Sequence, residues 1–161
     1  MNNNQQLALE GLIGRTLTVD EVFALDPLVA TRSDGLIADI LSIGRTEVYN
    51  RMTSSRGVAE LYSGGPVAAE VVLMKLEGAS AALLQSAQQA DKVLGSLLKR
   101  QLGFLAGEGL DFGSAALRAM LDSFAPSILT LEEVAALKAI ATRPAPISEN
   151  AVSSALNAVE E

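Results

Sequence analysis

Apolar residues recur at helical spacing through residues 79–106, the longest proline-free stretch with this pattern. The apolar positions fall three or four residues apart, and polar positions lie on the opposite side of the same helical projection. The apolar set is Leu83, Ala87, Ala90, Leu94, Leu97 and Phe104, with Gln101 as a polar interruption. A helix of this length would span roughly 40 Å. We therefore predict one long central helix, against which several shorter helices pack.

Shorter apolar patterns, each bounded by capping residues, glycine or proline, predict further helices. Thr18–Glu21 and Thr130–Glu133 have the spacing of a capping box, in which a Thr hydroxyl and a Glu carboxylate both bond free backbone amides at a helix start. Gly78 is the expected joint before the long helix. The shorter helices are predicted over residues 7–13, 18–25, 33–43, 54–62, 67–76, 114–125, 130–141 and 148–159.

These patterns predict a mainly α fold, an irregular bundle of short helices around one long central helix. Residues 1–143 are expected to form one helical domain, of which the Asn/Gln-rich residues 1–6 are disordered. Residues 144–161 form a short C-terminal helix, joined to that domain by the stiff Arg143–Pro146 link.

Residues 46–53 interrupt the helical pattern with a rough alternation that is typical of a β-strand or an extended arm. A single strand leaves its amides and carbonyls unsatisfied, so the arm needs a partner from another copy, another protein or an unrecognised segment of this chain. We expect protein contacts at Val48, Tyr49, Arg51 and Met52 on the arm, and at Tyr62 beside a Gly-Gly-Pro turn.

Composition limits the chemistry that is open to this chain. Its 161 residues include no His and no Cys, which excludes thiolate metal sites and removes the usual general base at neutral pH. The net charge of −7 argues against sequence-independent binding of nucleic acid. We find no membrane span and no signal peptide in the pattern, and we expect neither a cofactor nor a metal.

The remaining candidate sites each have a structural explanation that we favour. The Gly107–Gly113 loop lacks the Lys-Ser/Thr pair of a phosphate cradle and the acids of a calcium loop, so it is expected to connect two helices. The Ser63–Pro66 turn has no base to activate a nucleophile, and we interpret it as a hinge. Glu70 with Glu77, or Glu132 with Glu133, could form an acid–base pair. We favour the interpretation that these glutamates only lie on solvent-exposed faces of helices.

Three segments, residues 31–45, 110–122 and 133–148, together resemble a family of small proteins encoded among the structural genes of tailed bacteriophages. The similarity lies in helix and capping patterns and in a Pro-x-Pro link followed by a short helix, and the middle of the chain, residues 66–106, has no counterpart in it. The resemblance implies a virion component, in the tail or adsorption apparatus, that acts as a small adaptor present in several copies. It transfers no functional residues.

The leading hypothesis is therefore a non-enzymatic structural or adaptor protein of a tailed-bacteriophage particle, made in the host cytoplasm and located in the virion. Its partners would be other virion proteins or copies of itself, in a homo-oligomer or a hetero-assembly. The alternative is an accessory binding protein, such as an assembly chaperone or an inhibitor of a host factor. A carboxylate-based enzyme is the third possibility, and it would require a pocket with carboxyl groups of raised pKa.

Overall fold

The computed structural model describes residues 1–159 and confirms a mainly α fold. The helices in this range are α1 (Asn3–Ile13), α2 (Val19–Ala30), α3 (Asp34–Ser42), α4 (Ser55–Leu61), α5 (Gly65–Leu84), α6 (Gln89–Ala106), α7 (Ala115–Ser123), α8 (Leu131–Ala139) and α9 (Glu149–Asn157). The short strands are β1 (Thr46–Val48), β2 (Met52–Thr53), β3 (Leu110–Asp111) and β4 (Thr142–Pro144), which pair as β1 with β4 and β2 with β3. The final residues of the predicted C-terminal segment, 160 and 161, lie outside the described residues.

The chain divides into two compact units at a different place from the one we predicted. The first unit combines Met1–Glu47 with the described part of Pro144–Glu161, and the second is Val48–Arg143. The C-terminal helix α9 is thus part of a core and not an appendage, because its apolar residues Val152 and Leu156 are fully buried among side chains of α1, α2 and α3. An apolar stripe on a short helix is stable only when another element covers it.

The first unit begins with an ordered helix, in contrast to the disorder predicted for residues 1–6. Asn2 caps α1 by accepting a bond from the Gln5 amide at 2.8 Å, while the Gln5 side chain accepts one from the Asn2 amide at 2.9 Å. The same polar residues that suggested a frayed start therefore supply a capping box. The predicted helix end at Leu25 is also wrong, because α2 continues through Pro27 to Ala30.

The predicted capping box of α2 is confirmed, and its glutamate also forms an ion pair with Arg15. Glu21 accepts a bond from the Thr18 amide at 2.8 Å, and Arg15 donates to the same carboxylate at 2.5 and 2.8 Å. The bond from Arg15, assisted by that from the Thr18 amide, lowers the pKa of Glu21 to about 2. The sequence signature at the start of α2 thus corresponds to a fixed local structure.

In the second unit, the single helix predicted over residues 79–106 is in fact two helices. Helix α5 runs straight through Gly78, the expected joint, and ends at Leu84, and α6 begins at Gln89. Ser86 forms the turn between them, since its Oγ accepts from the Gln88 amide at 3.1 Å and donates to Asp91 at 2.6 Å. Serine in this position competes with the helical backbone for hydrogen bonds, which favours a turn.

Helices α5 and α6 pack closely because Gly95 has no side chain. A Cβ at this position would lie 2.9 Å from both the Leu83 Cβ and the Leu84 amide nitrogen. The Ser80 hydroxyl, which is buried, donates to the Gly95 carbonyl at 3.0 Å across the same contact. The core next to this pair is mostly aliphatic; its fully buried members include Val58, Val72, Leu98, Phe124, Leu129 and Leu137.

Candidate protein-contact surface

The arm at residues 46–53, predicted to need a partner, finds one within this chain. Strand β2 pairs antiparallel with β3, so that Met52 lies opposite Asp111 and Thr53 opposite Leu110. The Phe112 amide continues the pairing by donating to the Arg51 carbonyl at 3.1 Å. Of the three kinds of partner that the sequence left open, the structure therefore contains the third, an unrecognised segment.

For β2 that segment is the Gly107–Gly113 loop, which we had interpreted as a plain helix connection, and for β1 it is β4. Asp111 Oδ1 accepts bonds from the Arg51 amide at 2.8 Å and from the Gly113 amide at 2.9 Å. Gly109 has a φ of +96°, and a Cβ on Gly113 would lie only 2.1 Å from the Tyr49 carbonyl oxygen. The glycines of this loop allow two backbones to approach each other, a common reason for glycine in irregular strands.

Two arginine side chains lie close to the ring of Tyr49. The guanidinium carbon of Arg143 lies 5.1 Å from the centre of the Tyr49 ring, and that of Arg51 lies 5.9 Å from it. Arg51 also donates to the Tyr49 hydroxyl at 2.6 Å and to the Ile140 carbonyl at 3.2 Å. Cations over an aromatic face stabilise it, so Tyr49 and Arg51 serve the packing of the arm itself.

The remaining predicted contact residues differ in exposure. Val48 is exposed and Met52 is 64% exposed, so both apolar side chains are available at the surface of the arm. Tyr62 is only 8% exposed and packs in the core of the second unit, so a contact role for it does not fit its position. Its ring lies against Gly64, where a Cβ would be 3.0 Å from the ring carbon Cε1.

Tyr62 lies close enough to the ion pair of Lys75 and Glu133 for their charges to affect the pKa of its hydroxyl group. Lys75 Nζ donates to Glu133 Oε1 at 2.6 Å, and Glu133 Oε2 accepts from the Thr130 amide at 2.8 Å in the confirmed capping box of α8. The bond from Lys75 is the main reason that the pKa of Glu133 is lowered. Burial raises the pKa of Tyr62, and the negative charge of Glu133 adds to that effect.

Helix α5 carries an exposed apolar face that we did not predict from the sequence. Val67, Val71 and Met74 are 78%, 47% and 62% exposed. Beside them a groove of about 380 Å³ lies between α5 and α8, with Ala68, Val71 and Ala136 among its lining residues. The signal was present in the sequence, since these residues are spaced at i, i+4 and i+7, but periodicity alone does not tell an exposed apolar face from a buried one.

Glu132 and Glu133 both line the groove between α5 and α8, but Glu133 is bonded to Lys75 and its pKa is lowered, whereas an acid–base pair requires a carboxyl group of raised pKa. Glu77 lines a different cleft, whose lining residues do not include Glu70. Glu70 and Glu77 are both exposed on α5, and Glu132 is exposed at the start of α8. Within residues 1–159, no group of three or more metal-ligating acidic side chains is arranged to hold an ion. No helix in the same range combines the length and hydropathy that crossing a bilayer requires.

Comparisons of this chain with protein-family models, with curated proteins and with solved structures gave no match.

Proposed function

We propose that this protein is a non-enzymatic structural or adaptor component of a tailed-bacteriophage particle, in the tail or adsorption apparatus, which acts through contacts with other virion proteins. The observation that carries the proposal is the exposure of apolar side chains on α5 and on the arm. On α5 they form a stripe at Val67, Val71 and Met74, and on the arm they are Val48 and Met52. Contiguous exposed apolar surface on a soluble protein is typical of a binding surface.

The arrangement of the arm supports contact through side chains. The backbones of Met52 and Thr53 are already paired with β3, so a partner would meet the exposed side chains of Val48 and Met52 instead of adding a strand to β2 on that side. The flanking Tyr49 and Arg51 are fixed by their mutual hydrogen bond at 2.6 Å. A rigid surface loses little conformational entropy when it binds.

The proposal is tested by measuring whether the chain is part of purified particles. Quantitative mass spectrometry of particles from a phage that encodes it should recover the protein at a fixed ratio to the major tail protein. The double variant Val48→Asp/Met52→Asp should reduce this ratio at least about tenfold, because each buried charge would need desolvation at the interface. Tyr49 is left unchanged in this design, because its substitution would disturb the arm itself.

The control is Asn50→Asp, which adds a charge at an exposed position of the same arm without removing apolar surface. Its ratio should stay close to that of the wild type. Absence of the wild-type protein from purified particles would contradict the proposal and favour an assembly chaperone or an inhibitor of a host factor.

A further inference from the structure

The exposed face of α5 is an uncovered helix surface two turns long. Val67, Val71 and Met74 follow one another at i, i+4 and i+7, and they extend for about 10 Å along the helix axis. The opposite face of the same helix is fully engaged, with Ala69, Val72, Leu73 and Leu76 buried in the core. We call the exposed residues the α5 stripe. A helix that is apolar on both sides has a second surface that water solvates poorly.

Acidic side chains border the α5 stripe. Glu70 and Glu77 lie one heptad apart and are exposed. Across the adjoining groove, Glu132 of α8 is exposed and lines the same cavity as Val71. The ammonium group of Lys75 on α5 is bonded to Glu133 at 2.6 Å. The stripe therefore presents apolar side chains that are flanked by negative charge.

This charge pattern disfavours a second copy of the chain as the occupant. Two copies that met through the α5 stripe would bring Glu70 and Glu77 of one copy close to the same residues of the other, and like charges at facing positions destabilise a helix pair. The net charge of −7 on each copy adds a long-range repulsion. Lys99 on α6 lines a cleft with Glu77 and offsets only that end of the stripe.

We propose that the α5 stripe and its groove bind a basic amphipathic helix of a partner protein. Apolar side chains of that helix would cover Val67, Val71 and Met74, and Lys or Arg side chains at its flanks would face Glu70, Glu77 and Glu132. Helix-in-groove recognition uses this combination of apolar anchors at i, i+4 and i+7 with charges at the rim. This inference rests on the proposed function, which supplies the expectation that the partner is a protein. It adds the surface that binds and the chemistry of the segment that is bound.

The test uses two synthetic helical peptides of about 20 residues with identical apolar positions. One has Lys and the other Glu at every flanking position, and fluorescence anisotropy measures their binding to the full chain. We expect the Lys peptide to bind at least about tenfold more tightly at low salt, with a smaller difference at high salt. The double variant Glu70→Lys/Glu77→Lys should reverse the preference.

Apolar contact is tested separately from charge. Met74→Asp should weaken binding of the Lys peptide at least about tenfold, because a carboxylate would have to lose its water at the interface. Val93→Asp on α6 is the matched control, since it makes the same kind of change at another exposed apolar helix position. It should leave binding within about twofold of the wild type, and circular dichroism should show the same helicity for both variants.

Equal binding of the two peptides, or equal losses from Met74→Asp and Val93→Asp, would overturn the inference. A dimer in light scattering that Met74→Asp disperses would also overturn it, because a second copy would then be the occupant. The peptide assay uses only purified protein, so it can fail while the chain is still recovered in particles. Peptide selectivity without recovery in particles would instead refute the proposed function and leave the α5 binding site intact.

Discussion

Gly113→Ala should destabilise the second unit more than alanine at any other glycine of the Gly107–Gly113 loop. The new Cβ would lie 2.1 Å from the Tyr49 carbonyl oxygen and 2.9 Å from the Asn50 Cα. Both are backbone atoms, so the two segments must separate by about 1.3 Å to restore ordinary van der Waals contact.

A shift of this size removes the bonds that join the arm to the loop. The Phe112 amide now donates to the Arg51 carbonyl at 3.1 Å, and the Arg51 amide donates to Asp111 at 2.8 Å. Each bond contributes about 1 kcal/mol net, and steric strain adds about 1–3 kcal/mol. We expect the free energy of unfolding to fall by about 3–5 kcal/mol, which lowers the melting temperature by roughly 12–40 °C for a unit of this size.

The assay is urea denaturation followed by circular dichroism, with hydrogen exchange at Met52 and Thr53 to locate the effect. Gly103→Ala is the matched control, because it lies within α6 and a Cβ there meets nothing within 4 Å. Alanine in a helix should stabilise the protein by about 0.5–1 kcal/mol relative to glycine. Gly113→Ala with wild-type stability and unchanged exchange at the arm would refute the close approach of the two backbones.

Three further predictions concern one ion pair, one contact between helices and one core side chain. Because its arginine partner lowers the pKa of Glu21 from 4.5 to about 2, the stability that this pair contributes should be present above pH 4.5 and be lost as the pH falls toward 2. Urea midpoints at pH 6 and pH 3 should therefore differ less in Glu21→Gln than in the wild type, and identical shifts would contradict this. Gly95→Ala places a methyl group 2.9 Å from the backbone of α5, so calorimetry should show that the free energy of unfolding falls by about 1–3 kcal/mol. A rise in the free energy of unfolding would mean that the two helices can separate without cost. Phe124→Ala leaves a cavity in the core and should cost about 3–5 kcal/mol in urea denaturation, whereas Phe23→Ala, at a side chain 83% exposed, should change stability by less than about 0.5 kcal/mol.

Local signals in the sequence predicted local structure well. The Thr-x-x-Glu boxes at Thr18 and Thr130 are confirmed at helix starts, because a cap depends only on residues within one turn. The long helix was predicted as one piece because its apolar periodicity continues across residues 85–88. The break depends on Ser86 bonding its neighbours and on Gly95 packing against α5, and the second of these is a contact between residues distant in sequence.

The residues predicted to make protein contacts differ in their exposure. Val48 and Met52 are exposed, whereas Tyr62, which was selected because it adjoins a turn, is buried. Proximity to a turn in sequence does not determine which way a side chain faces. The arm and the glycine loop were both recognised as unusual, yet their pairing across about 60 residues leaves no periodic signal in a single sequence.

The division of the chain also determines the order in which its parts can fold during translation. The second unit, Val48–Arg143, is continuous, so all of its residues have been synthesised before α9 is made. The first unit depends on α9, whose Val152 and Leu156 complete the core around Leu9 and Leu25. Because α9 follows the second unit in the chain, the apolar surface of α1, α2 and α3 stays uncovered until the whole of the second unit has been synthesised.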